Sequence, residues 1–207
     1  ELDGLVVVDG STTLAGAYCA KLLADGGATV TLVEPSAGAP LRRWSCDGHR
    51  RDGEDGALFR FLRHGQRSVT SDAPDRLAAL VAGADVVVTS GPGPLGAAAE
   101  LAGADPGLVV VSITPFGLTG PEADRPASDL TLQAESGALG VRGTADRPPI
   151  QMGGRVVEWV AGAYAAVAAL AAHRRQATEG DGDLLDLSLC EVANLSGSLF
   201  ADLMHSL

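Results

Sequence analysis

A chain of 207 residues that is 46% hydrophobic and 20% charged can close one full α/β core, which excludes a disordered polypeptide. Its formal net charge of -11 repels phosphates, which excludes nucleic acid and anionic membrane as general partners. Three widely spaced cysteines, Cys19, Cys46 and Cys190, form no C-x-x-C or His-Cys ligand pattern, so a reducing compartment and no metal site are expected.

The chain opens at Glu1 without a basic, then apolar leader, and a cytoplasmic protein with no membrane span is expected. Leu5 to Val8 is a short apolar run that reads as a strand. Gly10-Ser11-Thr12-Thr13 supply turn and N-cap chemistry, and Leu14 to Ala24 reads as a helix closed by Gly26-Gly27. Thr29 to Val33 is a second strand, which makes a βαβ opening. Glu34 follows at the position where a dinucleotide-binding fold keeps its ribose-binding acid, but Gly10 and Gly16 do not complete G-x-G-x-x-G, so a nicotinamide cofactor finds little support. Pro35 to Gly56 reads as loop. Seven of the fifteen basic residues, Arg42, Arg43, Arg50, Arg51, Arg60, Arg63 and Arg67, fall in one stretch, either a local anion site or a solvated Arg-rich loop.

Ala57 to Arg63 reads as a short helix, Ser68 to Thr70 as a strand, Pro74 to Ala82 as a helix and Asp85 to Val88 as a buried strand. Gly91-Pro92-Gly93-Pro94 breaks the chain before an Ala-rich helix through Leu101. Leu108 to Ile113 is the next strand, and a turn-rich segment runs from Pro115 to Pro121. Strands alternating with helices at this spacing predict a single Rossmann-like domain over residues 1–207, a doubly wound, mainly parallel sheet flanked by helices.

Val156 to Ala172 has the period of a helix. Its larger apolar residues, Val157, Val160, Ala161, Tyr164, Val167, Ala168 and Ala171, share one face, and Gly162, Ala163, Ala165, Ala166 and Ala169 share the other. With no polar face, this helix is expected to be interior on all sides. Glu158 sits in its first turns, where free N–H groups and the helix dipole favour a carboxylate; it either caps the helix or does chemistry there. Gly180-Asp181-Gly182 turns into a last strand, Leu184 to Ser188, and Cys190 to Leu207 reads as a closing amphipathic helix.

Four separated blocks, taken in order, resemble the family III CoA-transferases, the group that includes formyl-CoA transferase, carnitine CoA-transferase and α-methylacyl-CoA racemase. They are LDGLVVVDGSTTLAGAYCAKLLADGGATVTLVEP, then RSVTSD with LVAGADVVVTSGPGPLG, then LVVVSITPFGLTGPEADRPASDLTLQAESG, then GDGDLLDLSLCEVA. The resemblance implies transfer of CoA between an acyl-CoA and a carboxylic acid, with CoA as a substrate and no permanently bound cofactor. It puts Glu158 where the family keeps a nucleophilic aspartate, and it puts Thr13, Leu14, Ala15, Arg42, Arg43, Arg67, Ser90 and Ser128 near the CoA. Where the family has a lysine and an arginine by the CoA phosphates, this chain has Ser71-Asp72-Ala73-Pro74 and Gly96-Ala97-Ala98. The family's racemases place a histidine where Ser128 stands, and a serine is no proton-transfer base at neutral pH, so racemase chemistry is disfavoured. Family members are longer, with a smaller second domain and a returning C-terminal segment, so the chain corresponds to their N-terminal half. They form interlocked dimers, which implies a homodimer or pairing with a complementary CoA-transferase chain. A non-catalytic subunit of such a pair is the alternative function.

Overall fold

The computed structural model describes residues 1–45, 53–91, 93–140, 142–144 and 146–197. Six strands pair side by side, all in parallel. They are β1 (Val6–Asp9), β2 (Thr29–Glu34), β3 (Arg67–Thr70), β4 (Val86–Thr89), β5 (Val109–Thr114) and β6 (Asp183–Ser188), in the order β3-β2-β1-β4-β5-β6. The four central ones are buried on both faces, as parallel strands under helices are, and the edge strands β3 and β6 are more polar and exposed. Val7 is in register with Val30 of β2 and Val86 of β4. The winding reverses between β1 and β4, which opens a crevice at the carboxyl ends of those strands.

Among the described residues, seven α-helices flank the sheet: α1 (Leu14–Asp25), α2 (Ala57–Leu62), α3 (Pro74–Ala82), α4 (Ala98–Ala104), α5 (Asp129–Glu135), α6 (Val156–Glu179) and α7 (Leu189–Gly197). Successive strand residues point to opposite faces. Val7, Val30, Val88 and Val111 therefore pack with α1, α6 and α7, and Val8, Val33, Val87 and Val110 pack with α3 and α4. A smaller cluster, Leu14, Leu32, Leu41, Phe59 and Leu62, joins α1 to α2 and to a 3-10 turn at Pro40–Arg43. The doubly wound architecture expected of the sequence is the one observed.

Three expectations change. The helix α6 runs to Glu179, well past Ala172, and ends where Gly180 adopts φ 87°. Nor is it interior all round. Its small residues, Ala161, Gly162, Ala165, Ala166, Ala169 and Ala172, are the buried side, whereas Tyr164 is 47% and Val167 69% exposed. Small side chains won the interior because they let backbones meet: a Cβ on Gly162 would lie 2.6 Å from the Ala15 carbonyl oxygen of α1. By length and composition α6 could cross a membrane, but here this small side is spent against α1, β5 and α7. Finally, α5 and the 3-10 turn were not anticipated, since neither carries an apolar stripe. The predicted last helix is described as far as Gly197; its remainder, with Cys46, Arg50 and Arg51, lies outside the described residues.

Candidate active site

The loop after β1 sets up the site. Asp9 ends the strand and accepts the Ser11 N–H at 2.7 Å, and Thr13, in extended backbone, caps α1 by accepting the Gly16 N–H at 3.3 Å. A helix's first N–H groups have no partner within the helix. That of Leu14 points at Glu158 instead and donates to its Oε2 at 3.0 Å. Glu158 itself stands in the first turn of α6 and is 3% exposed. The close contact of α1 with α6 at Gly162 brings the two helix starts together, so both dipoles favour negative charge at one carboxylate.

The other oxygen of Glu158 is taken by Arg155. Its Nε and Nη2 both meet Oε1. Arg155 has φ 55°, the one non-glycine residue with positive φ among the described residues, a conformation retained only where surrounding contacts enforce it. Its guanidinium also lies over the Trp44 ring, with Cζ 4.7 Å from the centroid. Trp159, next to Glu158, donates its indole N–H to the Gly154 carbonyl at 3.0 Å and stands edge-on to Tyr18. Arg155, Trp44, Trp159, Leu14 and Arg42 line a cavity of about 420 Å³. Glu158 is one side chain behind that wall, reached through Arg155 and Leu14. The arrangement holds a buried carboxylate behind the cavity wall, with one oxygen on a backbone N–H and the other on a guanidinium.

Residues 2–203 match CoA-transferase family III. The chain belongs to that family. It is 33% identical over 201 residues to succinyl-CoA–D-citramalate CoA-transferase of Chloroflexus aurantiacus, covering 92% of this chain and 49% of the relative. It is 37% identical over 188 residues to a subunit of succinyl-CoA:(R)-benzylsuccinate CoA-transferase of Thauera aromatica, covering 85% and 46%. The crystal structure of a CAIB/BAIF family protein from Brucella suis superposes with a TM-score of 0.84 at 31% identity, over 100% of this chain and 58% of that one. The chain thus spans about half the length of the curated relatives it matches.

Within this family member, the residues singled out from sequence are spread unevenly. Leu14, Arg42 and Arg43 line the cavity, Thr13 caps the helix beside it, and Ala15 gives its carbonyl to the α1–α6 contact. Arg42 is heavily engaged: Nε and Nη2 bond Glu34, and Nη1 bonds Asp55 at 2.7 and 2.8 Å. Its hydrogen bonds to Glu34 raise its pKa further. Burial alone would raise the pKa of Glu34, but bonds from Arg42, Ser68 and the Ala39 N–H outweigh it and hold the carboxyl at about 2. Glu34 is therefore a structural anchor and is not presented to a ribose. Arg43 is exposed and donates to the Ala37 carbonyl at 2.6 Å. Ser90 accepts the Thr12 N–H at 2.9 Å across the β1/β4 crevice. Arg67 begins the edge strand β3, and Ser128 caps α5 in a capping box with Thr131.

Sequence reasoning missed Arg155, Trp44 and Trp159, and it treated Arg63 as one member of a basic stretch. Arg155 had a readable signal, a cation three residues ahead of Glu158 in a first turn. Arg63 did not, because its partner is Asp9, 54 residues away.

Proposed function

We propose that this chain carries the nucleophile of an enzyme that moves CoA between an acyl-CoA and a carboxylic acid, with Glu158 as the attacking group. The observation that carries this reading is the carboxylate of Glu158, buried beside the cavity and held by the Leu14 N–H. Oε1 attacks the thioester carbonyl carbon, the C–S bond breaks, and CoA leaves as thiolate, giving a glutamyl–acyl anhydride. The thiolate then attacks the glutamyl carbonyl and releases the donor acid as a carboxylate, which leaves a glutamyl thioester. An acceptor carboxylate reverses both steps and carries CoA away. Whenever the glutamyl carbonyl is attacked, negative charge gathers on Oε2, and the Leu14 N–H already donates there, an oxyanion contact formed before reaction.

The acyl groups named for the two curated relatives are dicarboxylic, and the cavity carries a guanidinium suited to a second carboxylate; a dicarboxylic acyl donor or acceptor is our reading here too. The chain spans about half of those relatives, and our reading is that the counterpart of their other half completes the substrate site, in an assembly that is a dimer or a pairing with a complementary chain. This reading supports a cytoplasmic enzyme with CoA as a substrate and no resident cofactor.

The test is incubation with succinyl-CoA and no acceptor, in the presence of any complementary chain, followed by peptide mass analysis. An acyl or CoA adduct on the peptide containing Glu158, cleavable by hydroxylamine, is expected. Glu158→Gln keeps the shape, loses the nucleophile and should cut turnover by several orders of magnitude. Wild-type turnover by Glu158→Gln would overturn the assignment.

A further inference from the structure

Arg155 has two faces with different company. One is closed on a buried carboxylate, Glu158, whose side chain is 4% exposed; the other opens to the cavity, and 43% of the Arg155 side chain is exposed. The guanidinium is a planar fork that fits the two oxygens of a carboxylate side by side. In this pair the fork closes on a single oxygen, Oε1, because Oε2 is committed to the Leu14 N–H. A carboxylate arriving from the cavity could offer both oxygens. Arg42 on the same wall has four of its five N–H groups on Glu34 and Asp55; exposed Arg43 and Arg60 also line the cavity, and a carboxylate preference that survives loss of Arg155 would point to them. While Arg155 holds Oε1, the oxygen needed for attack is covered.

We propose that Arg155 reads the free carboxylate at the far end of a dicarboxylic acyl group, and that its transfer from Glu158 to that carboxylate uncovers Oε1. An acyl chain without a second charge leaves the pair closed. Arg155 is then the residue that sets specificity and releases the nucleophile in one movement. The release step rests on the reading of Glu158 as nucleophile, whereas carboxylate recognition by Arg155 does not.

Linkage sets a sign that a merely structural arginine would not produce. If ligand and Glu158 compete for one guanidinium, removing the charge at 158 must tighten binding of the ligand. The chain's two tryptophans, Trp44 and Trp159, both line the cavity, so their emission reports its occupancy. Titration with pentanoate and with its neutral isostere pentanamide compares a carboxylate with an amide of the same shape. Pentanoate is expected to bind wild type at least about tenfold more tightly, the worth of one charge-assisted hydrogen bond. Glu158→Gln should tighten pentanoate by a further factor of about ten and leave pentanamide unchanged. In the double variant Glu158→Gln/Arg155→Gln, which leaves no buried charge unpaired, the two ligands should bind alike. Equal binding of the two ligands to wild type, no tightening in Glu158→Gln, a surviving preference in the double variant, or no emission change at all would each overturn the proposal. Tightening in a Glu158→Gln protein that still turns over acyl-CoA would support carboxylate recognition by Arg155 and remove the nucleophile; loss of turnover without tightening would do the reverse.

Discussion

Asp9 and Arg63 face each other where water does not reach: Asp9 is 0% and Arg63 8% exposed. Such a pair adds little over an apolar pair of equal volume, yet breaking it leaves one buried charge alone. Arg63 is already short of partners, with Nε and Nη2 unbonded among the described residues. Asp9→Asn should therefore cost about 3–5 kcal/mol, read as a fall in the urea midpoint, whereas Asp9→Leu with Arg63→Met should cost far less. Glu34 makes a different forecast. Its carboxyl is held at about 2 against an ordinary 4.5, so the folded state binds its proton less readily than the unfolded chain. That contribution is fully present above about pH 4.5 and is lost as pH falls through 2. Urea midpoints followed across this window should decline in wild type and decline less in Glu34→Gln. Glu158 could be singled out from sequence because one acid interrupts an apolar run. Asp9 and Arg63 could not, since a charge gives no sign of a partner 54 residues away until the fold supplies one, whereas Arg155 was legible only as the i,i+3 neighbour of Glu158.

At the level of elements, the contact of α1 with α6 sets the distance between Leu14 and Glu158. Gly162→Ala would put a methyl group 2.6 Å from the Ala15 carbonyl oxygen and 3.0 Å from Tyr18 Cβ. The helices would have to part, at about 1–3 kcal/mol for overpacking, and a displacement near 1 Å at the reacting group can cost about a hundredfold in rate. Thermal melting together with the rate of adduct formation at Glu158 should register both effects; an unchanged rate would mean that the Leu14 contact does not govern the chemistry. The strands were readable because β1, β2, β4 and β5 are buried apolar runs, and α1 because Thr13 caps it. The sequence of α6, with no polar face, predicts burial on all sides and does not say which side packs. Volume decided it: two helices approach closely only where side chains are small. The helix α5 carries its signal in a Ser128–Thr131 capping box, too short a pattern to see without its neighbours.

For the molecule as a whole, the outer side of α6 bears Tyr164 and Val167, and Leu195 of α7 is 57% exposed. Apolar side chains exposed in this number on adjoining helices suit an interface. With the dimer or complementary chain proposed above, sedimentation should give a species heavier than the 20.9 kDa chain, and Val167→Asp should shift it toward the monomer. A monomer at all micromolar concentrations would count against that assembly. The Leu14–Glu158 bond also bears on how the protein comes to exist, since it joins residues 144 apart in sequence. Contacts of such separation form late, after the intervening loop entropy has been met. During synthesis α1 emerges long before α6 and waits with its small face uncovered, so the paired helix starts are absent from every chain that has not yet reached α6. With Glu158 as the nucleophile proposed above, chemistry toward thioesters would be withheld until α1 and α6 meet, and adduct formation at Glu158 would serve as a clock for that step of refolding.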